Sequence, residues 1–203
     1  MKYSIIIPTK GRPLEAARVL KGLAATIGPV RPDVEIVLAV TGLMDVPLQS
    51  GLLKFWTVLE KEPGAARAIW TAVQETKSEW FIWLCDDVGF PDPGWFVKLL
   101  AFRESNPRAK AIALESGTGH HECAPIGAAE VKWFKGHYPE PVYSHYGWDN
   151  EIQEIAEEEG VFCPAYHILV QEKPNHAPDP ERKAAGWKLW QERKQQRQQK
   201  GTK

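Results

Sequence analysis

Continuous apolar runs and stretches with a helical period succeed one another along this chain, and the switches between them outline its elements. Lys2 to Ile7 is an apolar, β-branched run that stops at Pro8-Thr9-Lys10-Gly11-Arg12-Pro13, and it reads as a buried strand ending in a loop. From Leu14 to Ile27 apolar residues recur at positions 16, 19, 20, 23, 24 and 27, a helical period, with Pro13 suited to the first turn and Gly28-Pro29 as the stop. Val34 to Val40 is a second buried strand, ended by Thr41-Gly42. Strand, helix and strand at this spacing predict a right-handed, parallel βαβ unit. Residues 43 to 53 carry no clear pattern, Phe55 to Leu59 fits a third strand, and Pro63-Gly64 leads into a helical stretch from Ala65 to Thr76.

That helix delivers the chain to Trp80–Trp95, WFIWLCDDVGFPDPGW, around which the rest is organised. Five consecutive apolar side chains predict a strand buried on both faces, since a half-exposed strand would alternate with period two. Asp86 and Asp87 therefore stand at the strand's C-terminal end, where ligands bind in open α/β sheets. A helix from about Trp95 to Ser105, a strand from Ala109 to Leu114 and an antiparallel strand from Ala129 to Phe134 are expected next. Trp148 to Glu159 reads as an acidic helix stopped by Gly160, and Val161 to Val170 as a returning strand that ends in QEKPNHAP. From Pro180 onward the pattern predicts a solvated helix.

Composition narrows the class of protein. At 203 residues and 43% hydrophobic content the chain fits one sizeable core plus a tail, divided here as 1–178 and 179–203. No apolar run approaches the roughly 18 residues of a membrane helix, and Tyr3 to Ile7 is too short for a secretory signal, so a cytoplasmic protein is expected. Cys85, Cys123 and Cys163 are too widely spaced for a disulfide framework or a CxxC zinc site, and read as reduced, mostly buried thiols. Residues 181 to 203 hold eight Lys or Arg and two Glu, a local balance of +6 against a total of −1. The remaining body is thus acidic, which argues against nucleic acid as a partner. The basic tail, with Trp187, Leu189 and Trp190, offers a peripheral membrane contact, a protein contact, or a surface that docks on its own domain. Of nine tryptophans, Trp95, Trp133 and Trp148 are placed in loops, where amphipathic rings serve as sugar platforms or pack as core.

Four pieces, YSIIIPTKGRP, PGAARAIWTAV, LCDDVGFPDPGW and GWDNEIQEIAEEEG, stand in the order and spacing of family 2 glycosyltransferases. The chain resembles a compact GT-A domain from about residue 2 to residue 176. The resemblance implies an α/β fold with a Rossmann-like, mixed but mostly parallel sheet flanked by helices, followed by the basic helical tail. It implies a metal-dependent, inverting transfer of sugar from a nucleotide-diphosphate donor, UDP-sugar favoured, to a hydroxyl on a sugar, lipid-linked or protein acceptor. The cofactor implied is a divalent metal, Mn2+ or Mg2+, which neutralises the leaving diphosphate. Carried over by position, Asp87 is the metal ligand, Asp86 faces ribose or metal, and Cys85 replaces the first acid of the DxD motif. Pro8, Thr9 and Arg12 of the first loop, Thr41 and Arg67 fall where the donor nucleotide binds. His176 matches a returning metal ligand, with His145, His167, His120 and His121 as competitors. Asp149 matches the general base, Glu151 is its runner-up, and Trp148 and His145 fall on the acceptor side. Residues 115 to 147 are expected to shape that side, with Trp133, Tyr146 and Trp148 as platforms.

Each residue has a plainer role as well. Asp86-Asp87 also fits a solvated turn, Asp149 an ordinary first-turn acid, His176 a loop histidine, and Arg67 the partner of a nearby acid. Two rival functions follow. A nucleotidyltransferase would need a Gly-rich loop after the first strand, and PTKGRP is poor in Gly. A GT-A-like binding or scaffolding protein that has lost catalysis would accommodate Cys85 and the absence of an acid among Ala39 to Gly42.

Overall fold

Ile5 and Ile7 face one side of the first strand and Ile6 the other, yet all three are fully buried, which is why the run shows no period-two alternation. The computed structural model describes residues 2–28, 31–47, 54–62, 64–117, 126–144, 146–173 and 179–201. In chain order the elements are β1 (Tyr3–Thr9), α1 (Pro13–Ile27), β2 (Val34–Val40), a short 3-10 turn (Leu43–Asp45), β3 (Trp56–Leu59), α2 (Ala65–Glu75), β4 (Trp80–Trp83) and β5 (Val88–Gly89). They continue with α3 (Trp95–Ser105), β6 (Ala111–Glu115), β7 (Gly127–Glu130), α4 (Val131–His137), α5 (Trp148–Glu158), β8 (Phe162–Leu169), β9 (Gln171–Glu172) and α6 (Pro180–Gly201).

The main sheet runs in the order β3-β2-β1-β4-β7-β6-β8, and β5 pairs with β9 in a separate ribbon. Strands β3, β2, β1 and β4 are mutually parallel, β7 is antiparallel to both β4 and β6, and β6 is parallel to β8. The chain builds outward from β1 to β2 and β3, then returns to place β4 on the other side of β1. That reversal opens a crevice at the C-terminal ends of β1 and β4.

Both faces of the sheet are covered. Trp80, Ile82 and Leu84 join one core with α1 and α3, whereas Phe81 and Trp83 join the other with α2, α4 and α5. Ser4, the polar member of β1, is buried because Ser78 Oγ lies 2.6 Å away and Thr76 and Glu35 complete the network.

Two expectations are corrected. The strand expected over Ala129–Phe134 ends at Glu130; Val131 and Phe134, three residues apart, then bury one face of a helix. Trp95 is not in a loop but opens α3 fully buried, stacked at 5.5 Å on Phe90. The C-terminal helix is present and docks on α5, with Leu189 and Trp190 against the core. No helix among the described residues is long and apolar enough to cross a membrane.

Candidate functional site

Strand β4 ends at Trp83, and three residues later the chain turns through Asp86 and Asp87. Both carboxylates are buried, at 1% and 4% exposure. The compensation comes from the first loop, because Arg12 Nη2 lies 2.7 Å from Asp86 Oδ1 and Arg12 Nη1 lies 3.8 Å from Asp87 Oδ2. Burial pushes the Asp86 carboxyl above its ordinary range, and the Arg12 guanidinium and Thr9 hydroxyl pull against it. Asp86 Oδ2 is buried with no hydrogen-bond partner.

Beside these acids, Cys85 Sγ and carboxylate oxygens of Asp87 and Glu172 all lie within 4.8 Å of one another. Glu172 arrives through the ribbon, where β9 pairs Glu172 with Val88 and the Lys173 amide donates to the Asp87 carbonyl at 3.0 Å. A thiol, two carboxylates and an orphaned buried oxygen next door fit a divalent cation. Burial, followed by the charges of Asp87, Glu172 and Asp86, pushes the Cys85 thiol well up in the metal-free chain.

A cleft of about 330 Å³ opens at the tips of β1 to β3, lined by Pro8, Thr9, Arg12, Thr41, Glu60 and Glu62 among others. Its two loops are tied together by Asp45, which accepts the Gly42 amide at 3.1 Å and the Gly11 amide as well. Gly11 carries φ +66, a conformation that favours glycine at this turn. Asp45 is thus the acid of the β2 end, three residues beyond the segment where one was sought, and it is spent on backbone.

The expected donor residues Pro8, Thr9, Arg12 and Thr41 share this cleft, and Asp86 touches it through Arg12. Arg67 is not among the residues lining it; its guanidinium lies 2.8 Å from Glu62 and 3.6 Å from Glu60, the two acids that do. Asp149 sits in the first turn of α5, half-buried, the end of a helix where free amides favour an acid.

Glu151 and the tryptophans require correction. Glu151 is fully buried and accepts Arg193 Nε at 2.9 Å on both oxygens, with Arg197 bonded as well. It joins α5 to α6 and is not placed to receive an acceptor's proton. Trp148 packs at 5.2 Å on Trp83, and Trp133 is buried with its Nε1 2.7 Å from Glu159, so neither is an exposed platform. His176, His145, His120 and His121 lie outside the described residues, as does Cys123. His167 lies tilted against Phe102, with ring centroids 5.4 Å apart, and is not one of the grouped metal donors.

Sequence reasoning missed Glu172, Glu60, Glu62 and Arg182. Glu172 had a signal, an acid in the same QEKPNH segment that carries His176. Arg182 had none, because its place in the cleft depends on how α6 packs.

No family model and no curated protein matches the sequence. Solved structures do match. The mannosyltransferase PcManGT from Pyrobaculum calidifontis, in complex with GDP-Man and Mn2+, is 14% identical over 87% of this chain and 58% of its own, with a TM-score of 0.67. Mannosyl-3-phosphoglycerate synthase from Rubrobacter xylanophilus is 12% identical over 98% of this chain and 75% of its own, with a TM-score of 0.72. Glucosyl-3-phosphoglycerate synthase from Mycobacterium tuberculosis, in complex with Mn2+, uridine diphosphate and glucosyl-3-phosphoglycerate, is 12% identical over 89% of this chain and 74% of its own, with a TM-score of 0.64. The chain therefore spans less than two thirds of the first of these proteins. With its strand order and its acids at the tip of β4, and with this agreement over most of its length, the chain has the GT-A fold of nucleotide-diphospho-sugar transferases.

Proposed function

We propose that this chain is a metal-dependent glycosyltransferase that moves a sugar, with inversion, from a nucleotide-diphosphate donor to a hydroxyl acceptor. The observation that carries the reading is the double engagement of Arg12, which lines the cleft at the tips of β1 and β2 and pairs with the acids that close β4. A nucleotide in that cleft brings its diphosphate up to two buried carboxylates, and the single charge of Arg12 does not offset all of these anions, so a further cation between them is favoured. The complexes of fold neighbours with GDP-Man and Mn2+, and with Mn2+ and uridine diphosphate, support this class of ligand.

In this reading Pro8, Thr9 and Thr41 wall the nucleoside, while Arg12 and Arg182 approach its phosphates from opposite elements. Carboxylates on the cleft wall, Glu60 and Glu62, suit a base with a ring N–H, which uracil and guanine both offer, and UDP is the donor nucleotide carried from the family resemblance. Asp87, Glu172 and Cys85 hold the cation, with His176 kept as a further candidate ligand. When bound, the metal neutralises the charge that develops on the leaving diphosphate. Asp149 takes the acceptor hydroxyl's proton as that oxygen attacks the anomeric carbon. The acceptor is met on the side of residues 115–147, which includes His145.

The test is thermal unfolding with a panel of nucleoside diphosphates, each with and without divalent metal, for the native chain and Asp87→Ala. Ligand binding to the folded state raises the midpoint by mass action. A rise that needs both metal and nucleotide and disappears in Asp87→Ala is expected. No rise with any nucleotide at millimolar concentration would end the donor-site reading.

A further inference from the structure

The cluster beside the cleft contains sulfur where the family resemblance would place an oxygen. Among the described residues it is the one group of three or more His, Cys, Asp or Glu donors close enough to share a cation. Its members are locked to one another. Cys85 and Asp87 are two residues apart on the β4 exit, and Glu172 is registered opposite Val88, with the Lys173 amide bonded to the Asp87 carbonyl at 3.0 Å. Thiolates select thiophilic cations, whereas Mg2+ and Mn2+ favour carboxylate, carbonyl and water oxygens. Zinc binds thiolate at about 2.3 Å and carboxylate at about 2.0–2.2 Å, which sets tetrahedral donors about 3.5 Å apart. The donors here all lie within 4.8 Å of one another, close to that spacing.

We infer that Cys85 ligates the metal as a thiolate, its proton passing to buffer, and that the cation of this chain is a thiophilic ion of the Zn2+ class, held in preference to Mg2+ and Mn2+. The inference rests on the transferase reading for the purpose of the metal, but its chemistry is testable without turnover.

The experiment titrates metal-free native chain with Co2+, a spectroscopic stand-in for Zn2+, and follows absorption alongside bound cobalt from equilibrium dialysis. The native chain is expected to bind one equivalent and to show the thiolate-to-cobalt charge-transfer band of the near ultraviolet. Cys85→Ser should lose the band, Glu172→Gln should weaken binding at least tenfold with the band retained at saturation, and Zn2+ should displace cobalt at far lower concentration than Mn2+. Cys85→Asp, which makes an all-oxygen site, should lose the band and narrow the gap between Zn2+ and Mn2+. Bound cobalt without the band, a band that persists in Cys85→Ser, displacement by Mn2+ as readily as by Zn2+, or no bound cobalt at all would each overturn the inference. The two readings separate in one further measurement on the same samples. Nucleotide binding that needs Mn2+ and is unchanged in Cys85→Ser overturns the thiolate site while keeping the transferase, and a cobalt–thiolate band without any nucleotide binding keeps the thiolate site while overturning the transferase.

Discussion

Arg12 shows how one side chain links stability to the proposed chemistry. In the free chain it neutralises Asp86 and Asp87, and with a donor in the cleft the same guanidinium is within reach of phosphate. Arg12→Ala is expected to weaken nucleoside-diphosphate binding about tenfold to a hundredfold, the worth of a charge-assisted hydrogen bond, and isothermal calorimetry reads this directly. Gly127 illustrates a position legible only in three dimensions. A Cβ there would stand 2.3 Å from the Trp83 ring and 2.9 Å from the Ile112 carbonyl. Gly127→Ala should therefore cost about 1–3 kcal/mol through overpacking, read by denaturant unfolding. Trp148 makes the opposite lesson. Its neighbours in sequence suggested a loop platform, but Trp83, sixty-five positions earlier, claims its ring for the core.

Helix and strand ends carry much of the remaining information. Glu159, just past α5, accepts from Trp133 Nε1 at 2.7 Å and meets His137 Nε2 at 2.8 Å, fastening α4 to the end of α5. Burial would raise its carboxyl, but these hydrogen bonds and the His137 charge outweigh it and hold the carboxyl below its usual range. A carboxylate lowered in the folded state stabilises fully above the ordinary Glu value, about pH 4.3, and that contribution is lost as pH falls through the lowered one. Glu159→Ala should cost about 1 kcal/mol at pH 7, discounted for its exposure, and the gap to the native chain should close on acidification. Thermal midpoints measured from pH 7 to pH 3 check this. The ribbon of β5 and β9 is the element that pattern reading could not find, because two-residue strands have no period. It is also the element that brings Glu172 to Asp87.

Taken whole, the molecule is a sheet with a reversal at β1 and β4, two cores, and a terminal helix that completes one of them. Helix α6 owes its place to charge as much as to packing. Arg193 and Arg197 bond the buried Glu151, Lys194 and Arg197 bond Glu154, and Gly186 lets the helix approach Tyr146, where a Cβ would stand 2.4 Å from its carbonyl. Three cations of the tail, Arg193, Lys194 and Arg197, pair with acids of α5, which agrees with one of the roles offered from the sequence, docking on its own domain. Replacing both Arg193 and Arg197 by Ala strands Glu151 without a counter-ion and should cost about 3–5 kcal/mol. Adding Glu151→Gln to that double variant should recover part of the loss in urea unfolding. Failure to recover would mean that α6 is held by its apolar side alone.

The main-sheet strands and the α-helices up to Ser105, and the position of Asp86 and Asp87 at a strand tip, were readable because local period and breakers act over a few residues. That Pro8, Thr9, Arg12 and Thr41 lie in loops at one edge followed from the same logic, since strand ends in a parallel sheet share that edge, whereas a donor role for them came from the family resemblance alone. The pairing of Glu172 with Cys85 and Asp87, the loss of Glu151 to two arginines of α6, and the conversion of Trp133 and Trp148 into core were settled by contacts between segments distant in sequence. Burial and ion pairing depend on which surfaces meet, and no local pattern encodes that meeting.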